Sequence, residues 1–432
     1  MDTSRPALLD PLLDPLLDPL LDPLWKGWPA GAPALRRSQV GAQGWNLLAG
    51  DLPLPLAVIR QAPMAHNLGW LQRLVDDAGI GLAPHGKTTM APALFRAQLD
   101  AGAWGITFAS VPQLAVGAAA GVPRALIANQ LLQAQELHAL AALLLQHPGL
   151  RAPFLVDSVA QLDRIEAVQS PAPFEVLVEL GLPGGRTGVR DDGEALGLAR
   201  RLHASPAVRL VGVEAYEGLW ATGEDAADRA LVDGVMRRLQ RFVSACMGEG
   251  LFDTDRPIVS AGGSAVFDLV AQGLARITAG QALLRSGCYL THDDGAYRRY
   301  AQVVNRRLGC TDEAGLRAAL EVWAVVQSCP EPGLAILGAG KRDVSIDWGL
   351  PVPLKWVRGD ERTVQAAPAG WQIDKLNDQH AYLRLADAAE APQVGDRIAL
   401  GISHPCTTFD KWRWMAVVDE GYTVVDAVTT WF

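Results

Sequence analysis

The chain has little cysteine for its length, no block of basic charge and no apolar run long enough to span a bilayer. Its five cysteines (Cys246, Cys288, Cys310, Cys329, Cys406) are odd in number and show no CxxC spacing among 432 residues. That excludes a disulfide framework and a zinc ribbon and points to a reducing, cytoplasmic setting. Lysine and arginine total 38 against 47 aspartate and glutamate, a net charge of −9 without a basic cluster. Nothing therefore draws the chain to nucleic acid or to an anionic membrane. What is present is 49% hydrophobic content, enough to bury a large core in two or three domains, and small molecules are the expected partners.

The chain opens on LLDPLLDPLLDPLLDPL, where proline and aspartate recur every fourth residue and exclude a continuous apolar helix or a signal-peptide core. We read residues 1–24 as a low-complexity extension, against the alternative of a docking arm with a leucine stripe. Residues 25–54 form a segment expected to pack on a later β domain. From 55 to 305, apolar strands alternate with alanine- and leucine-rich amphipathic stretches, the pattern of βα units around a parallel sheet. The strands are LAVIR (56–60), IGLAP (80–84), WGITFA (104–109), RALIAN (124–129), APFLVD (152–157), FEVLVEL (174–180), VRLVGVEAY (208–216) and RPIVSAG (256–262). Eight of them predict an α/β fold of the (β/α)8 barrel type. Over 306–432 the runs LEVWAVVQSC, LAILGAG, DRIALGIS and YTVVDAVTTWF lack helical spacers and predict a mainly antiparallel β domain.

In such barrels the reactive groups sit on loops at the carboxyl ends of the strands. Lys87 follows the second predicted strand, flanked by His85 and Thr88, where partial desolvation would free an amine for imine formation with an aldehyde. Its bland alternative is a solvated surface charge. SAGGSAVFD places Gly262, Gly263 and Ser264 between a strand and a helix, the construction of a phosphate cup, or else a plain βα turn. Arg186 in VELGLPGGRTGV can reach a cofactor ring or a carboxylate, and Tyr216 can pack on an aromatic cofactor. Both are equally ordinary as an exposed arginine and a half-buried strand tyrosine. His404 and Cys406, two apart in SHPCTTFDKWRW, project on one face of an extended chain and make a soft pair suited to zinc with open positions. The alternative is a core cysteine beside a capping histidine.

In their order and spacing, PHGKTTMAP…QLDAGAWGITFASVPQ, VELGLPGGRTGV, VEAYEG, SAGGSAVFD, GCYLTHD and SHPCTTFDKWR resemble pyridoxal-phosphate enzymes of the D-serine dehydratase and D-threonine aldolase family, which share an alanine racemase-like fold. The resemblance spans residues 25–432. It implies that Lys87 holds pyridoxal phosphate as an imine, that Gly262, Gly263 and Ser264 bind the phosphate with Tyr289 nearby, and that Arg186, Thr187 and Tyr216 line the cofactor. It also implies zinc on His404 and Cys406, since the family's dehydratases tend to carry His-x-Cys and its threonine aldolases His-x-Asp. The expected reaction is loss of water from a β-hydroxy D-amino acid to a 2-oxo acid and ammonia, in a homodimer. The alternatives are a retro-aldol lyase acting on D-threonine or 3-hydroxy-D-aspartate with His85 as base, and a non-catalytic pyridoxal-phosphate carrier. Family members often read Arg-Pro-His-x-Lys-Thr-His-Lys around the lysine, whereas Ala83, Thr89 and Met90 depart from it here.

Overall fold

Strand β1 (Gly81–Leu82) begins a parallel sheet whose members were nearly all visible as apolar runs. The computed structural model describes residues 14–387 and 391–432. In it β1 is followed by β2 (Ile106–Phe108), β3 (Ala125–Gln130), β4 (Phe154–Val156), β5 (Phe174–Leu180), β6 (Val208–Ala215), β7 (Ile258–Ala261) and β8 (Gln281–Leu284). From β2 onward each strand pairs in parallel with the next, and β8 pairs with β1. Between β1 and β2 the ring is joined by hydrogen bonds from Trp104 N to Leu82 O (2.7 Å) and from Thr107 N to Pro84 O (2.8 Å). This seam lies directly before Lys87.

Alternation of side chains along the strands sorts two cores. Ala83, Leu126, Leu155, Leu177, Ile258 and Leu283 form a buried cluster of their own inside the barrel. Their chain neighbours, such as Ile127, Val156, Val176 and Leu284, belong to the larger core under the helices. Burial on both faces is why these strands read as continuous apolar runs. The helices begin and end where local chemistry predicts. Ser158 Oγ accepts from Gln161 N to cap Val159–Val168, and the helix Pro92–Asp100 starts on a proline and stops before Gly102, at φ +111°.

One strand was assigned to the wrong sheet. Leu56–Arg60 is not part of the barrel; it pairs antiparallel with Leu320–Glu331 and parallel with Trp414–Val418 in the second sheet. The eighth barrel strand is instead β8, a four-residue segment that the periodicity did not mark. LAVIR is buried on four of its five residues, so locally it carries the same signal as a barrel strand, and only long-range pairing decides its sheet. Consequently Lys87 follows the first barrel strand, Arg186 the fifth, Tyr216 the sixth and Gly262 the seventh.

The second sheet has ten strands on its main path and extensions, mostly antiparallel. Residues 25–54 pack against it: Arg397 Nη1 donates to Leu47 O and Leu48 O, and Arg37 pairs with Asp426 at 2.8 Å. Of the LLDP repeat, residues 1–13 lie outside the described residues, while Leu20–Leu21 pairs with Leu35–Arg36 and Leu21 is fully buried. Among the described residues no helix is long and apolar enough to cross a membrane.

The helices Phe267–Leu274 and Ala296–Leu308 are tied by a two-pronged ion pair, Arg307 to Asp268 at 2.6 and 2.7 Å, with the carboxylate fully buried. Breaking it would leave the buried Arg307 with only its longer contact to the exposed Asp225, at 3.5 Å. Asp268→Ala is therefore expected to cost about 3–5 kcal/mol of stability. A urea midpoint unchanged from the parent protein would contradict this.

Candidate active site

At the carboxyl end of the barrel a cavity of about 570 Å³ opens between the strand loops and the second sheet. His85, Lys87, Arg186, Thr187, Tyr216, Gly263 and Ser264 line it from the barrel, and His404 and Cys406 from the β domain. Residues spread over more than 300 positions of chain thus meet at one place.

Lys87 sits in a single 3-10 turn, Gly86–Thr88, that leaves β1. The turn closes through Thr89 N and Met90 N, which both donate to Gly86 O. Met90 takes a left-handed φ of +41° and is buried, and its carbonyl accepts from Trp431 N at 2.8 Å. Of the positions that depart from the family pattern, Ala83 lies in the barrel's interior core and Thr89 and Met90 are buried around this turn. His85 is neutral, since burial and then the charges of Lys87, Arg285 and Arg186 press its pKa well below the usual imidazole range. Its Nδ1 is buried without a hydrogen-bond partner among the described residues.

Arg186 lies over the Tyr216 ring at 5.1 Å. Burial, reinforced by the charge of Glu217, pushes the Tyr216 phenol up to about 12, so it stays protonated. Thr187 Oγ1 donates to Glu179 Oε1 at 2.9 Å, which fixes the loop after β5.

Of the loop expected to cup a phosphate, Gly263 and Ser264 line the cavity. Gly262 does not line the cavity; its N–H donates to the fully buried Glu217 Oε2 at 3.2 Å. Burial raises the Glu217 pKa, against the hydrogen bonds accepted from the Gly262 and Gly263 backbone. Ser264 faces the cavity, and its Oγ accepts from Cys288 N at 3.4 Å. Tyr289 also turns away from the cavity. It is buried, and its hydroxyl accepts from Gln98 Nε2 at 3.1 Å. Cys288, one residue earlier, faces the cavity; both residues lie in the turn after β8, which directs the two side chains to different sides.

His404, Cys406 and Cys288 form one cluster, with a donor atom from each lying within 4.8 Å of the others. His404 Nδ1 is 2.6 Å from Asp347 Oδ2, and Thr407 Oγ1 donates to Asp347 Oδ1 at 2.6 Å. Burial opposes a charge on His404, but the hydrogen bond and charge of Cys406, and then those of Asp347, outweigh it and raise the imidazole to about 9. A hydrogen bond from Cys288, working against burial and helped by His404, pulls the Cys406 thiol well below its ordinary range. A carboxylate behind a histidine whose other nitrogen faces thiols is the arrangement that orients metal-binding imidazoles.

Sequence reasoning missed Cys288, Asp347 and the pair Arg285–Glu214. Cys288 lay inside the quoted GCYLTHD, but 118 residues separate it from Cys406, and no spacing links them. Arg285 and Glu214 form an ion pair, both almost fully buried, at the cavity floor. Burial, opposed by Arg285, raises Glu214 to about 7. Arg285 Nε and Glu214 Oε2 have no hydrogen-bond partner among the described residues.

Residues 59–291 match the family "Alanine racemase, N-terminal domain" and residues 319–418 the family "Putative serine dehydratase domain". The chain is 30% identical over 397 residues to a D-threo-3-hydroxyaspartate dehydratase of Delftia sp. (strain HT23), covering 88% of this chain and 97% of that protein. It is 27% identical over 370 residues to a D-threonine aldolase of Arthrobacter sp., with 85% and 89% covered. The solved Delftia dehydratase superposes with a TM-score of 0.72 at 26% identity, covering 89% of this chain and 99% of that one. A D-threonine aldolase from Filomicrobium marinum shares the fold, with a TM-score of 0.74 at 23% identity and 90% and 97% covered. Solved variants of a D-threo-3-hydroxyaspartate dehydratase replace a histidine and a cysteine two residues apart, the latter in a metal-free form. With both family matches in register with the barrel and the second sheet, the chain belongs to the D-serine dehydratase and D-threonine aldolase family on the alanine racemase fold.

Proposed function

We propose that the protein is a pyridoxal-phosphate- and zinc-dependent dehydratase that removes water from a β-hydroxy D-amino acid to give a 2-oxo acid and ammonia. The observation that carries this reading is that Lys87 and the thiol-bearing pair His404 and Cys406 open on one cavity. The small D-amino acid partner and a homodimeric assembly belong to the same proposal.

The residues present fit the two groups. The cavity volume suits a small cofactor with its substrate. A Cβ on Gly263 would come 2.8 Å from Tyr216 Cε2, so glycine is what lets the loop close against the tyrosine that would back a cofactor ring. Lys87 Nζ would hold the cofactor carbonyl and Ser264 its phosphate, with Arg186, Thr187 and Tyr216 around the ring. His404 and Cys406 supply the imidazole and thiolate that zinc prefers. When bound, pyridoxal phosphate supplies an electron sink for the Cα carbanion and zinc supplies Lewis acidity at the β-oxygen.

The chain's own residues divide the remaining work. Lys87 Nζ is the group placed to take the Cα proton, and neutral His85 adds no positive charge beside it. Arg186, at the cavity wall, offers a guanidinium to the substrate carboxylate. Asp347 holds the His404 ring in orientation through Nδ1. The protonated Tyr216 phenol keeps negative charge away from the cofactor face.

A second reading, retro-aldol cleavage to glycine and an aldehyde, is supported by the likeness to a D-threonine aldolase of Arthrobacter sp. and by His85 on the cavity wall as the group placed to take the β-hydroxyl proton. The metal corner has no use in a non-catalytic carrier. Purified protein given D-serine, D-threonine and 3-hydroxy-D-aspartate is expected to release 2-oxo acid and ammonia. Glycine and aldehyde as the dominant products would overturn the dehydratase in favour of the aldolase.

A further inference from the structure

Cys288 brings to the metal corner a sulfur that the His-x-Cys pair does not contain. Its Sγ lies 3.7 Å from Cys406 Sγ. A disulfide would bring the sulfurs to about 2.05 Å. Two thiolates on one tetrahedral zinc, each about 2.3 Å from the metal, are instead held roughly 3.8 Å apart. An imidazole nitrogen at about 2.0–2.1 Å from the same metal would lie roughly 3.6 Å from each sulfur, inside the 4.8 Å that contains all three donor atoms. The spacing is that of a shared ion.

The backbone is built to hold this spacing. Cys288 follows β8, is 6% exposed, and its N–H donates to Ser264 Oγ at 3.4 Å. Gly287 before it admits no side chain, because a Cβ there would come 2.7 Å from His85 Cβ and 2.8 Å from Thr88 Oγ1. That close approach brings the end of β8 against the Lys87 turn. On the opposite side, Cys406 starts the short helix Cys406–Phe409, while Asp347 occupies His404 Nδ1, so that Nε2 is the ring nitrogen left for a metal.

We infer that Cys288 is a third protein ligand of the metal, making a Cys2His zinc centre with one position open to the substrate's β-oxygen. The inference rests on the zinc reading above. Two thiolates balance the charge of Zn2+, and binding releases the thiol protons to solvent. Such a donor set favours zinc over magnesium or manganese. One ligand comes from the barrel and two from the β domain, so the ion also clamps the β domain onto the loop after β8.

The test is zinc K-edge X-ray absorption on the cofactor-loaded, zinc-loaded protein, together with zinc affinity measured by chelator competition for the parent, Cys288→Ser and Cys288→Ala. The parent is expected to show two sulfurs in the first shell and each variant one, with affinity lower by at least about 10–100-fold, the loss seen even for outer-shell partners. Circular dichroism and the cofactor absorbance check that the variants fold; should neither fold, the sulfur count of the parent decides. One sulfur in the parent, or unchanged shell and affinity in folded variants, overturns the role of Cys288 and leaves the His404/Cys406 pair standing. Failure of the parent to bind zinc removes the zinc reading itself and this inference with it.

Discussion

Lys87→Ala is expected to abolish turnover and the visible absorbance of bound cofactor together. In the proposed reaction this side chain holds the cofactor through its amine and takes the Cα proton, so its loss removes two functions at once. A positioned base alone contributes about 10²–10⁴ in rate, and we expect kcat to fall by at least about 10³-fold. The band near roughly 410–430 nm, characteristic of a protonated imine, should disappear from the protein after desalting. Lys87→Arg separates charge from nucleophilicity: it keeps the cation in the Gly86–Thr88 turn but cannot form the imine, and should be as inactive as alanine. An added primary amine that restores part of the turnover to Lys87→Ala would identify the missing group as an amine. A variant with a tenth or more of parental activity would end the assignment of Lys87.

The second large effect concerns the metal corner and separates it from the lysine. Removal of metal by a chelator, or His404→Ala, is expected to lower turnover by about 10³-fold, as Lewis-acid stabilisation worth several kcal/mol requires. The cofactor band should stay, because Lys87 and the loop around Ser264 lie on the barrel side of the cavity. Added zinc should restore the chelated protein and not the His404→Ala variant. Undiminished turnover after complete metal removal would mean that His404 and Cys406 do not serve the reaction. Loss of the cofactor band along with the metal would place the corner in cofactor binding.

Much of the lining of the candidate site was visible in the sequence because the loops that form it are short strand–loop segments. Lys87, Arg186, Tyr216, Gly263 and Ser264 each follow a strand that betrays itself as an apolar run. His404 and Cys406 stood out because an imidazole and a thiol lie two residues apart, and both line the cavity. Tyr289 and Gly262 were drawn in as chain neighbours of cavity residues, but the turn after β8 buries the tyrosine against Gln98 and the Gly262 N–H donates to Glu217. Adjacency in sequence does not fix which way a group faces.

Strand patterns, caps and glycine stops determined the class of fold, the order of the elements and the loops that bear reactive groups, since each is written in fewer than about twenty consecutive residues. Tertiary structure alone decided which sheet Leu56–Arg60 joins, where the barrel closes, and that β8 completes it. It alone brought Cys288 to 3.7 Å from Cys406 and Asp347 to His404. Strand pairing and ligand clustering depend on contacts between residues tens to hundreds of positions apart, and no local period records them.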